Sequence, residues 1–253
     1  KIGIEYDGIY WHSEKFRKDK WYHLAKTKEC KNKNIRLIHI FEDEYTDKKE
    51  IVLHKLKHIF KKDENIKKIG ARKCIIKEID CKTSKEFMNK YHIQGFAKSS
   101  IYLGCFYKDL MIASMTFKKR SENKWELNRF SSDFNYLVQG GGGKMLKYFI
   151  KHYLPKEIIS FGDLRWVDKD SNIYNELNFK LDKILPPDYS YIKDSGFKRI
   201  HKFNLRKSKI NKKYGLPLTM TENEMTSALH FYKIWNCGLI RYKWEDINEE
   251  INN

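Results

Sequence analysis

The run Ile-Gly-Ile-Glu-Tyr-Asp-Gly-Ile-Tyr-Trp-His from Ile2 to His12 limits how this chain can begin more than any other stretch does. Side chains alternate along a strand, which places Glu5 and Asp7 on one face. Gly8 permits a tight turn, and Tyr10 and Trp11 lead directly to His12. Two carboxylates, a histidine and a lysine-rich helix beyond them are the parts of metal-assisted phosphodiester hydrolysis. Hard oxygen ligands suit Mg2+, so Glu5 and Asp7 are candidate metal ligands. His12 is a candidate base or water-positioning group, and Lys26 a candidate partner for phosphate. Tyr10 and Trp11 can stack on bases or insert between them. Each residue also has a plainer reading: a solvent-facing strand, an Asp-Gly turn, a core tryptophan, a surface histidine.

Beyond this run the pattern predicts a helix over 16–33 with Trp21, Leu24 and Ala25 on its apolar face, stopped at Asn34. A buried strand follows over 35–41, ended by Glu42, Asp43 and Glu44. A second helix over 47–61 carries Val52, Leu56, Ile59 and Phe60 at helical spacing. Taken together, Glu5-Tyr-Asp7-Gly8, His12, Asp19, Lys26 and the 35–41 strand with Glu42 and Glu44 resemble the restriction-endonuclease-like superfamily. The similar branches are the very-short-patch mismatch-repair endonucleases and the EDxHD phage homing endonucleases. The resemblance implies a PD-(D/E)xK-type core over 1–68, with Glu5, Asp7, His12, Asp19 and Lys26 catalytic and Mg2+ on Glu5 and Asp7. It also implies DNA contacts from Tyr10, Trp11, Lys15 and Arg17. In those nucleases a further strand bearing an aspartate precedes this one. The sequence opens on the strand that follows, so a partial, N-terminally truncated nuclease domain is expected.

Charge points the same way. Lys and Arg number 51 against 33 Asp and Glu, a formal net charge of +18, and phosphate neutralisation dominates nucleic-acid affinity. The basic residues cluster over 15–33, 48–73 and 198–213, so DNA is the expected partner; lysine enrichment in an AT-rich genome is the plainer source. A hydrophobic content of 41% with 15% aromatics excludes a disordered tail. Apolar runs fall short of the roughly 18–20 residues that cross a bilayer, so no membrane partner is expected. Five cysteines form no CxxC pair, which fits small core residues in a reducing cytoplasm, bacterial or phage-infected.

The second block, 69–206, follows a linker near Gly70. Strands are predicted over 74–79, 100–107, 110–117, 125–130 and 158–161, with helices over 84–91, 144–153 and 173–177 and a hairpin turn at Lys108-Asp109. Final strands are predicted over 189–192 and 199–205. The order, with glycines after the fourth strand, resembles the GNAT acyltransferase fold. Gly140-Gly-Gly142-Gly-Lys-Met-Leu146 is similar to that family's Gly-x-Gly-x-x-Leu-Leu loop. Residues without side chains let backbone N–H groups approach a phosphate at a helix N-terminus. Ile173-Tyr-Asn-Glu-Leu-Asn-Phe179 is similar to the segment whose tyrosine, here Tyr174, protonates the leaving thiolate. Leu137 and Asn178 stand where the family places Arg or Gln, and Gly. The resemblance implies acetyl-CoA or another acyl-CoA at Gly140, Gly142 and Tyr174. Asp163 and Arg165, just past a strand end, are either substrate-handling groups or a salt-bridged turn.

The tail, 207–253, opens on a basic run with Arg206 and Lys207 as DNA contacts. A capping box at Thr221-Glu-Asn-Glu224 starts a helix, and a hairpin over 232–244 is expected on the GNAT-like domain. The acidic end, 245–253, reads as a loose terminus. The expectation is an α/β (α+β) protein: a partial nuclease core, then a GNAT-like mixed-sheet domain. Its first expected function is metal-dependent DNA endonuclease. The alternatives are a GNAT-like acyltransferase or DNA-base-modifying enzyme of the Mom type, and a non-catalytic DNA-binding module.

Overall fold

Strand β1 (Ile2–Asp7) and strand β2 (Arg36–Phe41) pair in parallel, with Glu5 opposite His39, and helix α1 (Tyr22–Asn32) lies between them in the chain. The computed structural model describes residues 1–62, 66–168, 172–194 and 196–246; of the acidic end, 247–253 lie outside these. Helix α1 begins later than its pattern predicts, because the preceding segment is spent on turns and the Asp19 carboxylate accepts the Trp21 N–H at 2.8 Å. Asn34 ends it in the left-handed conformation, at φ 55°. The single helix predicted next is two, α2 (Glu42–Asp47) and α3 (Lys49–Ile59), because Lys48 leaves the helical region at φ −137°, ψ 37°.

The stretch predicted as a linker holds strand β3 (Lys67–Gly70). Strand β4 (Cys74–Glu78) leads to helix α4 (Cys81–Tyr91), capped by Asp80. Strands β5 (Ile101–Tyr107), β6 (Leu110–Ser121) and β7 (Lys124–Ser132) form a meander. Its first turn is the predicted Lys108-Asp109, with Lys108 at φ 54°. Strand β8 (Tyr136–Gln139), helix α5 (Gly141–Tyr153), strand β9 (Glu157–Asp163), helix α6 (Ile173–Glu176) and strand β10 (Lys180–Leu185) follow. The remainder is β11 (Tyr189–Lys193), β12 (Ile200–His201), α7 (Lys207–Tyr214), α8 (Glu222–Ala228), β13 (Phe231–Trp235) and β14 (Leu239–Glu245).

These elements gather into two compact units. The first takes Lys1–Lys49, Asp163–Trp166 and Leu185–Leu239. It holds the β1–β2 pair and a three-stranded sheet in the order β12-β11-β13. One apolar cluster joins Ile9, Phe41, Ile192 and Ile234; another joins Tyr191, Leu205, Ile210, Met225 and Phe231. The second unit takes Glu50–Gly162, Val167–Ile184 and the chain from Ile240. Its seven-stranded sheet runs β10-β14-β9-β7-β6-β5-β4, and β3 pairs in parallel with β8 beside it. This is a mixed α/β fold with a large mixed sheet. Phe149 of α5 anchors the helix to the sheet, stacked on Phe117 at 3.6 Å between ring centres and meeting Trp125 edge-on.

Strands β13 and β14 do not form the hairpin that their spacing suggests. Strand β13 pairs with β11, while β14 enters the large sheet between β10 and β9. Gly238 makes the change of direction possible: it sits at φ 92°, and a Cβ there would meet the Leu185 carbonyl oxygen at 2.4 Å. Gly238→Ala is therefore expected to cost on the order of 1–3 kcal/mol, read as a drop in Tm of about 2–4 °C per kcal/mol. An unchanged melting curve would contradict this account of the turn.

Candidate functional site

Two groups of chemistry-bearing residues emerge, one in each unit. In the first unit β1 inverts the usual pattern of a half-buried strand. Ile2, Ile4 and Tyr6 are exposed, whereas Asp7 is fully buried and Glu5 largely so. The face turned inward is the carboxylate face, and it meets three imidazoles. Asp7 Oδ2 accepts from His39 Nδ1 at 3.0 Å. Asp7 Oδ1 lies 3.4 Å from His12 Nδ1 and 3.7 Å from His23 Nε2, and those two nitrogens are 2.9 Å apart. Glu5 Oε1 takes the Lys26 ammonium at 2.5 Å. Burial lowers His12 and takes His23 down to about 3. His39 is equally buried, but its hydrogen bonds to Asp7 and Cys237 outweigh the desolvation and raise it to about 10.

Of the residues predicted for this site, Glu5, Asp7, His12 and Lys26 do converge. Asp19 is instead engaged with the backbone of Trp21. Tyr10 and Trp11 pack edge-on against each other and both meet Phe16, with Trp11 63% exposed. Lys15 is ion-paired to Asp194 and hydrogen-bonded to Tyr10. Arg17 lies over the Tyr22 ring at 4.2 Å, Arg206 pairs with Glu222 at 3.3 Å, and Lys207 is the first residue of α7. His23 and His39 were not legible as members, because each sits in an otherwise ordinary helical or apolar run.

Arg165 resolves as a salt-bridged group. Its guanidinium donates to both Glu44 oxygens, at 2.9 and 3.0 Å, and to Asp163. Arg199 closes the network through Asp43 and Glu44, and the Arg165 and Arg199 guanidiniums lie over the Phe41 ring at 4.8 and 4.0 Å.

In the second unit the site is a fork in the sheet. Strands β7 and β9 pair in parallel only from Lys124↔Glu157 to Leu127↔Ser160. Past that point Asn128–Ser132 and Phe161–Asp163 run on without pairing to each other. Ser160 Oγ donates to the Leu127 carbonyl at 2.8 Å, right at the divergence. A bulge falls there too: Thr116 and Phe117 of β6 face Arg129 and Leu127, so Asn128 is the extra residue and its backbone leaves the ladder.

Helix α5 starts beside the fork. Gly140 sits in the left-handed conformation at φ 73° and no side chain caps the helix, so the first-turn N–H groups of Gly141, Gly142 and Gly143 have no intrahelical acceptor. A Cβ on Gly142 would touch Ile173, Leu177 and Phe130 at 3.4–3.6 Å, whereas a Cβ on Gly143 would meet open space. A cavity of ≈ 580 Å³ runs along this helix start, lined by Arg72, Gly140, Gly143, Lys147, Leu177 and Trp244 among others. Lys144 is turned to the Ala71 and Cys74 carbonyls. Tyr174 stacks on Tyr242 at 4.3 Å, and its hydroxyl donates to the Phe161 carbonyl at 3.1 Å, on the free arm of β9. Arg129, on the free arm of β7, donates to the neutral acceptors Gly95 O, Asn128 O and Asn128 Oδ1, and burial lowers its pKa. Neither the bulge nor Arg129 carries a sequence signature.

No family model and no curated protein matches this chain. Among solved structures it is similar to a GNAT family acetyltransferase from Elizabethkingia anophelis with acetyl-CoA bound, at 14% identity over 69% of this chain and 99% of that one, TM-score 0.39. It is also similar to aminoglycoside 6'-acetyltransferase type Ii, at 12% identity over 68% and 96%, TM-score 0.38. A third is the ribosomal-protein-S18-alanine N-acetyltransferase from Escherichia coli, at 14% over 45% and 81%, TM-score 0.37.

These neighbours are transferases, and the expectation of a hydrolytic endonuclease is corrected accordingly. None of them supports a restriction-endonuclease-like core in the first unit. The donor set there disagrees as well. Mg2+ takes oxygen ligands, yet one Glu5 oxygen holds Lys26, one Asp7 oxygen holds His39, and the remaining neighbours are imidazole nitrogens. Among the described residues, no helix is long and apolar enough to cross a membrane.

Proposed function

We propose that the second unit is an acyl-CoA-dependent N-acyltransferase. The observation that carries this reading is the parting of β7 and β9 at Leu127 and Ser160 beside an uncapped, glycine-built helix start. A fork in a sheet offers unpaired backbone groups to an extended ligand arm, as a missing strand would. The free N–H groups of Gly141–Gly143 and the helix dipole favour a pyrophosphate, with Arg72 and Lys147 of the same cavity supplying positive charge. Tyr174 is the candidate catalytic acid. When the acceptor amine attacks the thioester carbonyl, the new carbon–nitrogen bond forms, the carbon–sulfur bond breaks and the departing thiolate takes the Tyr174 proton; the nitrogen gives up its own proton to solvent, which reprotonates Tyr174. The net charge of +18 favours nucleic acid as the acceptor, the base-modifying form of this reading.

Gly143 tests it without disturbing the fold. A side chain there enters open space, and an aspartate in a first helical turn is favourable to the dipole by about 0.3–1 kcal/mol. Gly143→Asp should keep or raise the ligand-free Tm. Acetyl-CoA at a hundred times its Kd should stabilise the unsubstituted protein by about 2.7 kcal/mol and the variant hardly at all, because the carboxylate occupies the pyrophosphate position. Equal stabilisation of both would remove the glycine helix from the site.

A further inference from the structure

The inward face of β1 holds a second site, independent of the acyltransferase reading. Asp7 Oδ1, His12 Nδ1 and His23 Nε2 form a triangle with edges of 2.9, 3.4 and 3.7 Å. Donors about 2.0–2.1 Å from one metal ion lie about 2.9 Å apart in an octahedron and about 3.4 Å apart in a tetrahedron. We propose that Asp7, His12 and His23 bind a transition-metal dication of the Zn2+ class, with Glu5 as a fourth, oxygen ligand.

Two atoms without a hydrogen bond point to a ligand. Asp7 is fully buried, and its Oδ1 has no hydrogen-bond partner; Glu5 Oε2 is buried and lacks one too, with His39 Nδ1 3.4 Å away in ion-pair range. A buried carboxylate oxygen left unpaired is costly in a fold without compensation, and a cation there removes the cost.

The groups behind the ligands are those that orient a metal site. The His23 ring stacks on His12 with 5.1 Å between ring centres, and its Nε2 faces Asp7 and His12. His39 holds the other Asp7 oxygen through Nδ1 and is itself held at Nε2 by Thr27 Oγ1, at 3.0 Å each. A route in exists: His12 lines a cavity of ≈ 650 Å³ with Tyr6, Tyr10, Trp11 and Phe197. Two imidazole donors select Zn2+, Co2+ or Ni2+ over Mg2+.

The test uses the full chain, free of any histidine tag and stripped with a chelator. Calorimetry should find one equivalent of Zn2+, and Co2+ should give visible ligand-field bands that Zn2+ abolishes and a tenfold excess of Mg2+ does not. His12→Ala, His23→Ala and Asp7→Asn should each weaken Zn2+ at least 100-fold, while His39→Gln should weaken it about 10–100-fold with the stoichiometry kept. Should the buried Asp7→Asn fail to fold, His12→Ala, at a partly exposed position, decides. No Zn2+ or Co2+ uptake by the unsubstituted protein, uptake unchanged in His12→Ala or His23→Ala, or displacement of Co2+ by Mg2+ would each overturn the site.

Discussion

Arg165→Met is expected to destabilise the first unit by about 3–5 kcal/mol, the loss that follows when one partner of a buried ion pair is removed. Arg165 is buried and bidentate to Glu44, which is itself buried between Arg165 and Arg199. Methionine fills the space but leaves Glu44 short of its main counter-charge. The same network sets an acid sensitivity. Burial pushes Glu44 up, but the two guanidiniums outweigh it and hold the carboxyl at about 2, below the ordinary 4.5. A depressed carboxylate contributes stability that is fully present above the unfolded value and lost as pH falls through the folded one. The contribution is about 3 kcal/mol, disappearing between pH 4.5 and 2. Urea unfolding at pH 7 and pH 3 should show a large drop for the unsubstituted protein and a smaller one for Arg165→Met. Equal slopes would show that Glu44 does not carry the effect.

Tyr174→Phe should lower kcat for acyl transfer by about 10²–10⁴, the usual contribution of a positioned acid, with KM for acetyl-CoA little changed. The ring stack on Tyr242 survives this substitution, and the hydrogen bond to Phe161 O is lost, worth about 1 kcal/mol. A packing role alone would therefore move Tm slightly and leave kcat near its original value. A fall in kcat that persists above pH 9, where a free thiolate needs no acid, would count against proton donation. Release of free CoA thiol in the presence of an acceptor reports both numbers.

How much of this was legible in the sequence depends on the range of the interaction. Local signals read correctly: the Lys108-Asp109 turn, the Thr221 cap, the left-handed Asn34, and the glycines that open α5. Each is fixed by residues within one turn of itself. The β7–β9 fork was not legible, because it arises from where parallel pairing stops between strands a helix apart. Strand β14 was misread as half of a hairpin, since its neighbour in the sheet is set by topology and not by its own alternation.

The first unit shows the opposite error. Glu5, Asp7, His12 and Lys26 do come together, yet the chemistry inferred from them was that of a hard-oxygen phosphodiesterase. Helix α1 brings His23 in as a second imidazole nitrogen beside Asp7, and the β1–β2 register sets His39 on the other Asp7 oxygen. A buried imidazole in an apolar run such as Arg36–Phe41 gives no periodic signal of its own.

The central claim is that the fork and glycine helix of the second unit receive an acyl-CoA. Calorimetric titration of the full chain with acetyl-CoA tests it most directly. One equivalent bound, competed by CoA and weakened at least tenfold, or about 1.4 kcal/mol, in Gly143→Asp is the result predicted. No binding by the unsubstituted protein, or binding indifferent to Gly143→Asp, would contradict it.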